Sequence, residues 1–376
     1  MKISLILRGD SLSIKVLAIS NHADMLGGGE HSFFDLLSHL PDPLSVLAVV
    51  PSEGELRIRL QQKGIETQVA PLSPIRPCHL YSILSSLIAY FNLCRGYGPA
   101  LIYANGSRAA FYGGIVGRIL SLPVVWHCRI ADPDIYLDFF LRKLSTTIIA
   151  NSHATAKRFG DSYHSKVRVV HNGVDLARFR DDSVSRPSLI DDTWKTILVV
   201  ARVSRWKRHD LALSAFEQIA SKEPNAHLFC IGASDALESE WWDHLQEQTR
   251  QSMVSHRIHW IGQISDVRPW YKAADILLLC SENEPFGRVL VEAMACGVPV
   301  VATRSGGVPE IVRHGEDGFL VTPGSVNEIA DAIAEILGNG SLREQLAKSA
   351  IKRAESFDLD SHTEKMTRVF EETSKT

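Results

Sequence analysis

Four cations fall within eight residues in the run Ala201-Arg202-Val203-Ser204-Arg205-Trp206-Lys207-Arg208. A β-rich apolar stretch, Thr196–Val203, leads into them, and a helical stretch begins near His209. The unpaired N–H groups and positive dipole end of a helix N-terminus favour an anion. Arg and Lys at the same place suit a phosphate or diphosphate. The competing assignment is a solvated charge cluster. What favours a site is the position at the carboxyl end of a strand, where ligands of open α/β sheets bind.

A second constellation follows. Ser281-Glu282-Asn283-Glu284-Pro285-Phe286-Gly287-Arg288 runs into Val289-Leu290-Val291-Glu292-Ala293-Met294-Ala295-Cys296-Gly297. A strand ends at Ser281, Pro285 and Gly287 open a helix, and the helix stops near Gly297. Glu292 has apolar neighbours, where a carboxylate is costly unless it is paired or bonded to a ligand. If the helix is regular, Glu284 and Glu292 are separated by roughly 12 Å along the axis. Carboxylates flanking one glycosidic bond sit about 5–5.5 or 6.5–9.5 Å apart, so these two do not form a hydrolase acid and nucleophile. The spacing suits two hydroxyl-bearing ends of one extended ligand with an anion between them. A nucleotide-sugar has that layout: hexose, diphosphate, ribose. The alternative makes Glu292 a structural partner of an N–H or Arg and Glu284 a solvated loop acid.

These residues need a scaffold, and the chain shows a short β-rich run, a turn and a helical stretch in repeated alternation. Strands are expected at Lys15–Ser20, Leu44–Val50, Ile65–Ala70, Ala100–Tyr103, Pro123–His127, Thr147–Ala150 and Val167–His171. A second series covers Thr196–Val203, His227–Gly232, Ile258–Ile264, Ile276–Ser281, Val298–Thr303 and Phe319–Thr322. Helices such as Glu30–Leu40, Arg108–Ser121, Asp210–Ser221 and Arg288–Ala295 lie between them. Alternation of this kind implies parallel strands with crossover helices, and continuous apolar strands imply sheets covered on both faces. Arg178–Trp194 is charged and aperiodic and reads as a linker. The chain is therefore expected to form two doubly wound α/β domains, residues 1–178 and 190–357, followed by a helix at about 358–376.

Composition bounds the function. The 376 residues are 45% hydrophobic and 22% charged with a net charge of −3, which argues against affinity for nucleic acid through phosphate neutralisation. None of the six cysteines forms a C-x-x-C pair, so buried free thiols in a reducing cytoplasm are expected. Met1–Ser13 lacks the pattern of a cleavable signal peptide. The uncharged run Pro77–Cys94 is interrupted by Ser82, Ser85, Ser86 and Asn92 and falls short of a membrane span. It reads as a buried helix, with peripheral contact to a membrane surface as the alternative.

Glu284 through Glu292 resembles the E-x7-E signature of the retaining group 1 glycosyltransferases, glycosyltransferase family 4. Arg202 and Lys207 are similar to that family's phosphate-binding pair. Asn172-Gly173-Val174-Asp175 resembles its interdomain turn, and Gly27-Gly28-Gly29-Glu30 its N-terminal glycine loop. Ser305-Gly306-Gly307-Val308-Pro309-Glu310 and Gly315-Glu316-Asp317-Gly318 resemble its C-terminal motifs. The resemblance runs from about Lys15 to the end. It implies the GT-B fold: two Rossmann-like doubly wound domains, an interdomain cleft and a C-terminal helix crossing back. The donor would lie in the C-terminal domain and the acceptor largely in the N-terminal one.

Carried over, the resemblance assigns Arg202 and Lys207 to the donor diphosphate and Glu292 to the ribose hydroxyls. Glu284 and the backbone near Phe286 and Gly287 would bind the sugar, within the signature that continues through Arg288 and Val289. Gly262-Gln263-Ile264 would hold the base, and Gly28 and Gly29 would approach the donor or acceptor. His127 resembles the histidine facing the transferred sugar. The catalytic set is then His127, Glu284, Arg202 and Lys207. No enzymic nucleophile is implied; retention is front-face, with the donor phosphate helping to take the acceptor proton. The default donor is a UDP-sugar such as UDP-glucose or UDP-GlcNAc. The acceptor would be a glycan or a polyprenyl-linked species, in polysaccharide synthesis at or near the inner membrane face.

Departures are Ala201 for a common Gly, Arg208 for a Gly, where it would add charge near the phosphates, and His171 for a common Pro before Asn172. The Gly27–Gly29 loop is neither G-x-G-x-x-G nor a P-loop. Asp132-Pro133-Asp134 and His256-Arg257-Ile258-His259 are weak metal patterns. With Arg202, Lys207 and a helix N-terminus available, no metal and no cofactor is expected. Two other functions stay open: a non-hydrolysing nucleotide-sugar epimerase and a non-catalytic sugar-nucleotide-binding subunit.

Overall fold

The computed structural model describes residues 14–160, 165–234 and 238–376. The reading of Met1–Ser13 as lacking a leader lies outside them. In chain order the strands are β1 Ile14–Ser20, β2 Leu44–Val50, β3 Glu66–Val69, β4 Leu101–Asn105, β5 Val124–Cys128, β6 Thr147–Ala150, β7 Val167–Val169, β8 Lys195–Val200, β9 Ala226–Ile231, β10 Ile258–Gly262, β11 Ile276–Leu279, β12 Val300–Thr303 and β13 Gly318–Val321. The helices are α1 Gly28–Ser38, α2 Glu55–Gln62, α3 Leu80–Tyr97, α4 Ser107–Leu120, α5 Ile135–Leu144, α6 His153–Lys157, α7 Leu176–Arg180, α8 His209–Ala220, α9 Ser239–Gln251, α10 Arg268–Ala273, α11 Arg288–Ala295, α12 Val326–Gly338, α13 Gly340–Ala354 and α14 Leu359–Thr373.

The chain divides into two compact units. The first holds the chain up to Ala150 together with Phe159–Val170 and Asp360–Thr376; the second holds Asn151–Arg158 and His171–Leu359. Each carries one parallel sheet, ordered β3-β2-β1-β4-β5-β6-β7 in the first and β10-β9-β8-β11-β12-β13 in the second. Strand order therefore reverses beside β1 and beside β8, and the loops leaving β1, β4, β8 and β11 flank these switch points.

Apolar continuity along the strands arises because both faces are covered. On β1, Leu17 and Ile19 enter one core cluster while Val16 and Ala18 enter another. On β8, Ile197 and Val199 pack to one side and Leu198 to the other. The chain end returns to the first sheet: in α14 the Phe370 ring lies edge-on to Tyr103 at 5.2 Å, and the Thr373 hydroxyl is 2.9 Å from that of Thr147. Residues 178–194 pack on the second unit, with Phe179 and Ile190 in its core.

Several expected elements are corrected. The strands expected to reach Val203, Ile264 and Ser281 end at Val200, Gly262 and Leu279. At β10 the chain leaves the ladder through Gly262, whose φ of 79° is left-handed, and Val203 retains only an isolated bridge to Ser234. The helix expected to be buried, α3, buries only Ser86, Tyr90 and Cys94 and exposes Leu80, Tyr81, Leu84 and Ile88. Its apolar residues run around the whole helix, and a single neighbouring layer can cover only one stripe. Of the six thiols, Cys78 is exposed and Cys296 half-buried. Among the described residues no helix is long and apolar enough to cross a membrane.

Two histidines of the second unit sit where a charge is disfavoured. His209, the first residue of α8, is 1% exposed, and burial lowers its imidazole from 6.5 to about 4. His227 stacks on Trp194 at 3.7 Å, and its Nδ1 lies 3.0 Å from His259 Nε2; burial, then the neighbouring His259, lowers it to about 4. Both stay neutral in the native state while the unfolded chain takes up protons below 6.5, so stability is complete above pH 6.5 and is lost as pH falls toward 4. Denaturant unfolding across that window should show the midpoint falling with pH, and His209→Leu should flatten part of the slope. A midpoint independent of pH would contradict this.

Candidate functional site

In the second unit the two loops at the switch point meet. The loop after β8 tightens into a 3-10 turn, Arg205–Lys207, and the loop after β11 carries Glu282 to Gly287. Lys207 Nζ donates to Glu284 Oε2 at 2.6 Å, with side chains only 14% and 9% exposed. The ammonium also lies 3.9 Å from the centroid of the Trp206 ring. Glu282 N donates to Trp206 O at 2.7 Å, a second tie between the loops. Arg202 stands exposed at the end of the same strand segment.

The second carboxylate is bonded on both oxygens. Glu292 Oε1 accepts from Arg288 Nε at 2.7 Å and Oε2 from the Tyr271 hydroxyl at 3.0 Å. Arg288, itself buried, also donates to Gly173 O at 3.2 Å. Glu284 belongs to the loop, because α11 begins only at Arg288. The 1.5 Å rise per residue that underlies the 12 Å estimate therefore does not apply between Glu284 and Glu292.

Gly287, at φ 94°, turns the loop into α11, a conformation that L side chains rarely adopt. Phe286 is buried against His171 and Phe357, and Val289 packs on the core. Gly306 and Gly307 let the following loop lie directly on Glu284. Gly307 N donates to Glu284 O at 2.7 Å, and a Cβ on Gly306 would stand 2.1 Å from that same oxygen. Gly262 O accepts from Gly232 N at 2.9 Å, and Ile264 is half-buried against the core.

Arg208 is paired within the protein. Its guanidinium forks onto Asp210, with contacts of 2.8 to 3.2 Å, and also bonds Glu282. The Asp210 hydrogen bonds hold its pKa above the usual arginine value.

The first unit gathers a separate polar group. His127, on β5, is fully buried, and its Nδ1 lies 2.9 Å from the Tyr103 hydroxyl. Arg129 donates to that hydroxyl at 3.5 Å and to Asn105 Oδ1 at 2.8 Å, while Asn105 Nδ2 reaches Gly29 O at 3.4 Å. The phenol oxygen can accept from Arg129 and share a proton with Nδ1 in either sense, and the other ring nitrogen is Nε2. That nitrogen is buried and has no hydrogen-bond partner among the described residues. Burial, then the nearby Arg129 charge, holds His127 well below its ordinary value, so it is neutral near pH 7. Gly28 and Gly29 open α1. The N-cap Gly27 is extended (φ −171°), so the backbone itself does not demand glycine there.

Asp134 of the weak metal pattern caps α5, accepting from Leu137 N at 3.0 Å. His259 belongs to the aromatic stack with His227 and Trp194.

Two family models divide the chain: Glycosyltransferase Family 4 matches residues 26–178, and Glycosyl transferases group 1 matches residues 181–353. The chain belongs to the group 1, family 4 glycosyltransferases. Anabaena HepE, solved in complex with UDP and glucose, superposes with a TM-score of 0.85 at 26% identity, covering 95% of this chain and 99% of that one. The fold is thus GT-B. A D-inositol 3-phosphate glycosyltransferase from Actinosynnema mirum is 32% identical over 234 residues, 58% of this chain and 55% of the relative. The N-acetyl-alpha-D-glucosaminyl L-malate synthase of Bacillus anthracis is 28% identical over 210 residues, 55% and 52% respectively. The chain spans about half the length of these curated relatives.

The E-x7-E spacing locates the signature of this family 4 chain, but Tyr271, Trp206, Tyr103 and Arg129 are invisible to it. They come from other elements, and nothing in their spacing ties them to the motif. The Arg288–Glu292–Tyr271 network generates a stability prediction. Arg288→Ala leaves a buried carboxylate without its cation and should cost about 3–5 kcal/mol. The double variant Arg288→Leu/Glu292→Leu should recover most of that loss in denaturant unfolding, and equal losses for single and double variants would contradict the coupling.

Proposed function

We propose that this chain transfers a hexose from a nucleoside diphosphate sugar, UDP-linked, to a hydroxyl of a glycan or lipid-linked acceptor, with retention at the anomeric carbon. The observation that carries the reading is the buried Lys207–Glu284 pair across the switch point of the second sheet, with the α11 N-terminus beside it. The HepE complex with UDP and glucose supports the choice of base.

In this reading Arg202 and Lys207 meet the diphosphate, and the ammonium exchanges part of its bond to Glu284 for phosphate oxygens. As the glycosidic bond breaks, charge grows on the leaving phosphate, where these cations and the first N–H groups of α11 would meet it. Glu284, released in part from Lys207, accepts from sugar hydroxyls. Glu292, oriented by Arg288 and Tyr271, keeps unused lone pairs for the ribose. Gly262 to Ile264 bind the base by backbone. Gly28 and Gly29 add no side-chain bulk where a substrate approaches α1. The orphaned Nε2 of neutral His127 is left to a sugar hydroxyl, a bond that would remove its desolvation penalty. The front-face course, with a donor phosphate oxygen taking the acceptor proton, needs no enzymic nucleophile and no metal.

Lys207→Ala and Arg202→Ala should each lower kcat for UDP release from UDP-sugar plus acceptor by about 10²–10³-fold. Full turnover in both variants would overturn the assignment. Epimer formation without acceptor would indicate the epimerase chemistry instead.

The acceptor reading places this enzyme on the inner membrane face. It is supported by the exposed Leu80, Tyr81, Leu84 and Ile88 of α3, which fall on successive turns. Flotation with anionic vesicles should recover the protein, and Leu84→Glu/Ile88→Glu should abolish recovery without lowering turnover on a soluble acceptor. Equal flotation of both proteins would remove the membrane from the reading.

A further inference from the structure

Beside the donor loop, three side chains of the second unit converge that no transfer step uses. His153 begins α6, His171 precedes Asn172-Gly173, and Glu310 lies in the 3-10 turn Val308–Glu310. Each has a nitrogen or oxygen within 4.8 Å of the other two. We propose that this cluster binds a divalent transition ion, zinc in the first place.

The donor chemistry selects the ion. Two imidazoles and one carboxylate form a set that zinc takes with a fourth position left open. Magnesium and calcium call for oxygen ligands and are poorly served by histidine.

Two of the three ligands are held in advance. Glu310 accepts from His153 N at 2.8 Å and from Ala154 N at 2.9 Å, so backbone donors fix its carboxylate as outer-shell groups fix a metal ligand. The His171 ring packs against Phe286 at 6.0 Å and Phe357 at 5.7 Å, and its Nε2 already faces Glu310 Oε2 at 2.8 Å.

The third ligand is the adjustable one. His153 is exposed, with its ring 5.9 Å from that of His171. Donors around a tetrahedral ion with bonds of about 2.0–2.2 Å stand roughly 3.3 Å apart. Rotation of the exposed imidazole closes that difference without disturbing the core. A purely structural tether requires only His171 and Glu310, so the two interpretations part at His153.

None of its ligands is a group assigned to the diphosphate. Through His171 it would abut Phe286, whose neighbours form the donor loop. The inference stands whether or not the transfer reaction does, because its test contains no sugar nucleotide.

The test is a titration of untagged full-length protein with Co²⁺, followed by its visible ligand-field absorption, and competition by Zn²⁺. One equivalent should bind with the absorption of a four- or five-coordinate nitrogen and oxygen site, and Zn²⁺ should displace it. His153→Ala should weaken binding at least tenfold while leaving the metal-free melting temperature unchanged. Glu310→Gln should weaken it as well. Because His171→Ala also removes a packed ring, His153→Ala decides the outcome. Absence of stoichiometric absorption, intense thiolate charge-transfer bands, or unaltered affinity in His153→Ala would each overturn the proposal.

Discussion

Burying Lys207 with Glu284, and Arg288 with Glu292, is the constraint around which the second unit is arranged. Removing such ions from water costs several kcal/mol each, and only close, well-directed partners offset it. The contacts are accordingly short, at 2.6 and 2.7 Å, and the Glu292 carboxylate and the Glu284 backbone have further support. Tyr271 bonds Glu292, and backbone from Gly307 bonds the carbonyl of Glu284. Arg288 stands one helical turn from Glu292, but Lys207 and Tyr271 are distant in sequence from the carboxylates they meet, so the fold must bring them together.

The parallel sheet does this by its strand order. Loops leaving β8 and β11 depart on either side of the reversal and approach each other there. Glycine then sets how closely they pack. A side chain at Gly306 would occupy the position of a Glu284 backbone atom, and Gly287 supplies the left-handed turn into α11. The first unit uses a different device. His127, Tyr103, Arg129 and Asn105 form a buried chain in which a charged guanidinium lies near a histidine that burial keeps neutral. Such a histidine presents a directed neutral ring nitrogen and no cation.

Much of this was legible in advance. The two parallel sheets followed from apolar runs alternating with amphipathic ones, and α11 was expected with its observed bounds, because Gly287 and Gly297 mark its ends. Other features were not legible. The pairing of Arg208 with Asp210 and Glu282 is one, since a basic run does not reveal which acids fold beside it. The α3 run was read as a buried helix, yet hydropathy counts apolar residues without showing how much of the surface a neighbour covers. The spacing of Glu284 and Glu292 suggested a fixed axial separation, but only one of them is on the helix.

The sequence by itself determined the alternation of strands and helices, the helix boundaries and the residue types at the strand ends, since these depend on side-chain period and local turn chemistry. Only the tertiary structure decided which charges are neutralised within the protein, that Tyr271 holds Glu292, and that His153, His171 and Glu310 stand together. Desolvation and ion pairing depend on distance through space, and residues up to 226 positions apart are brought within hydrogen-bond reach only when the sheets assemble.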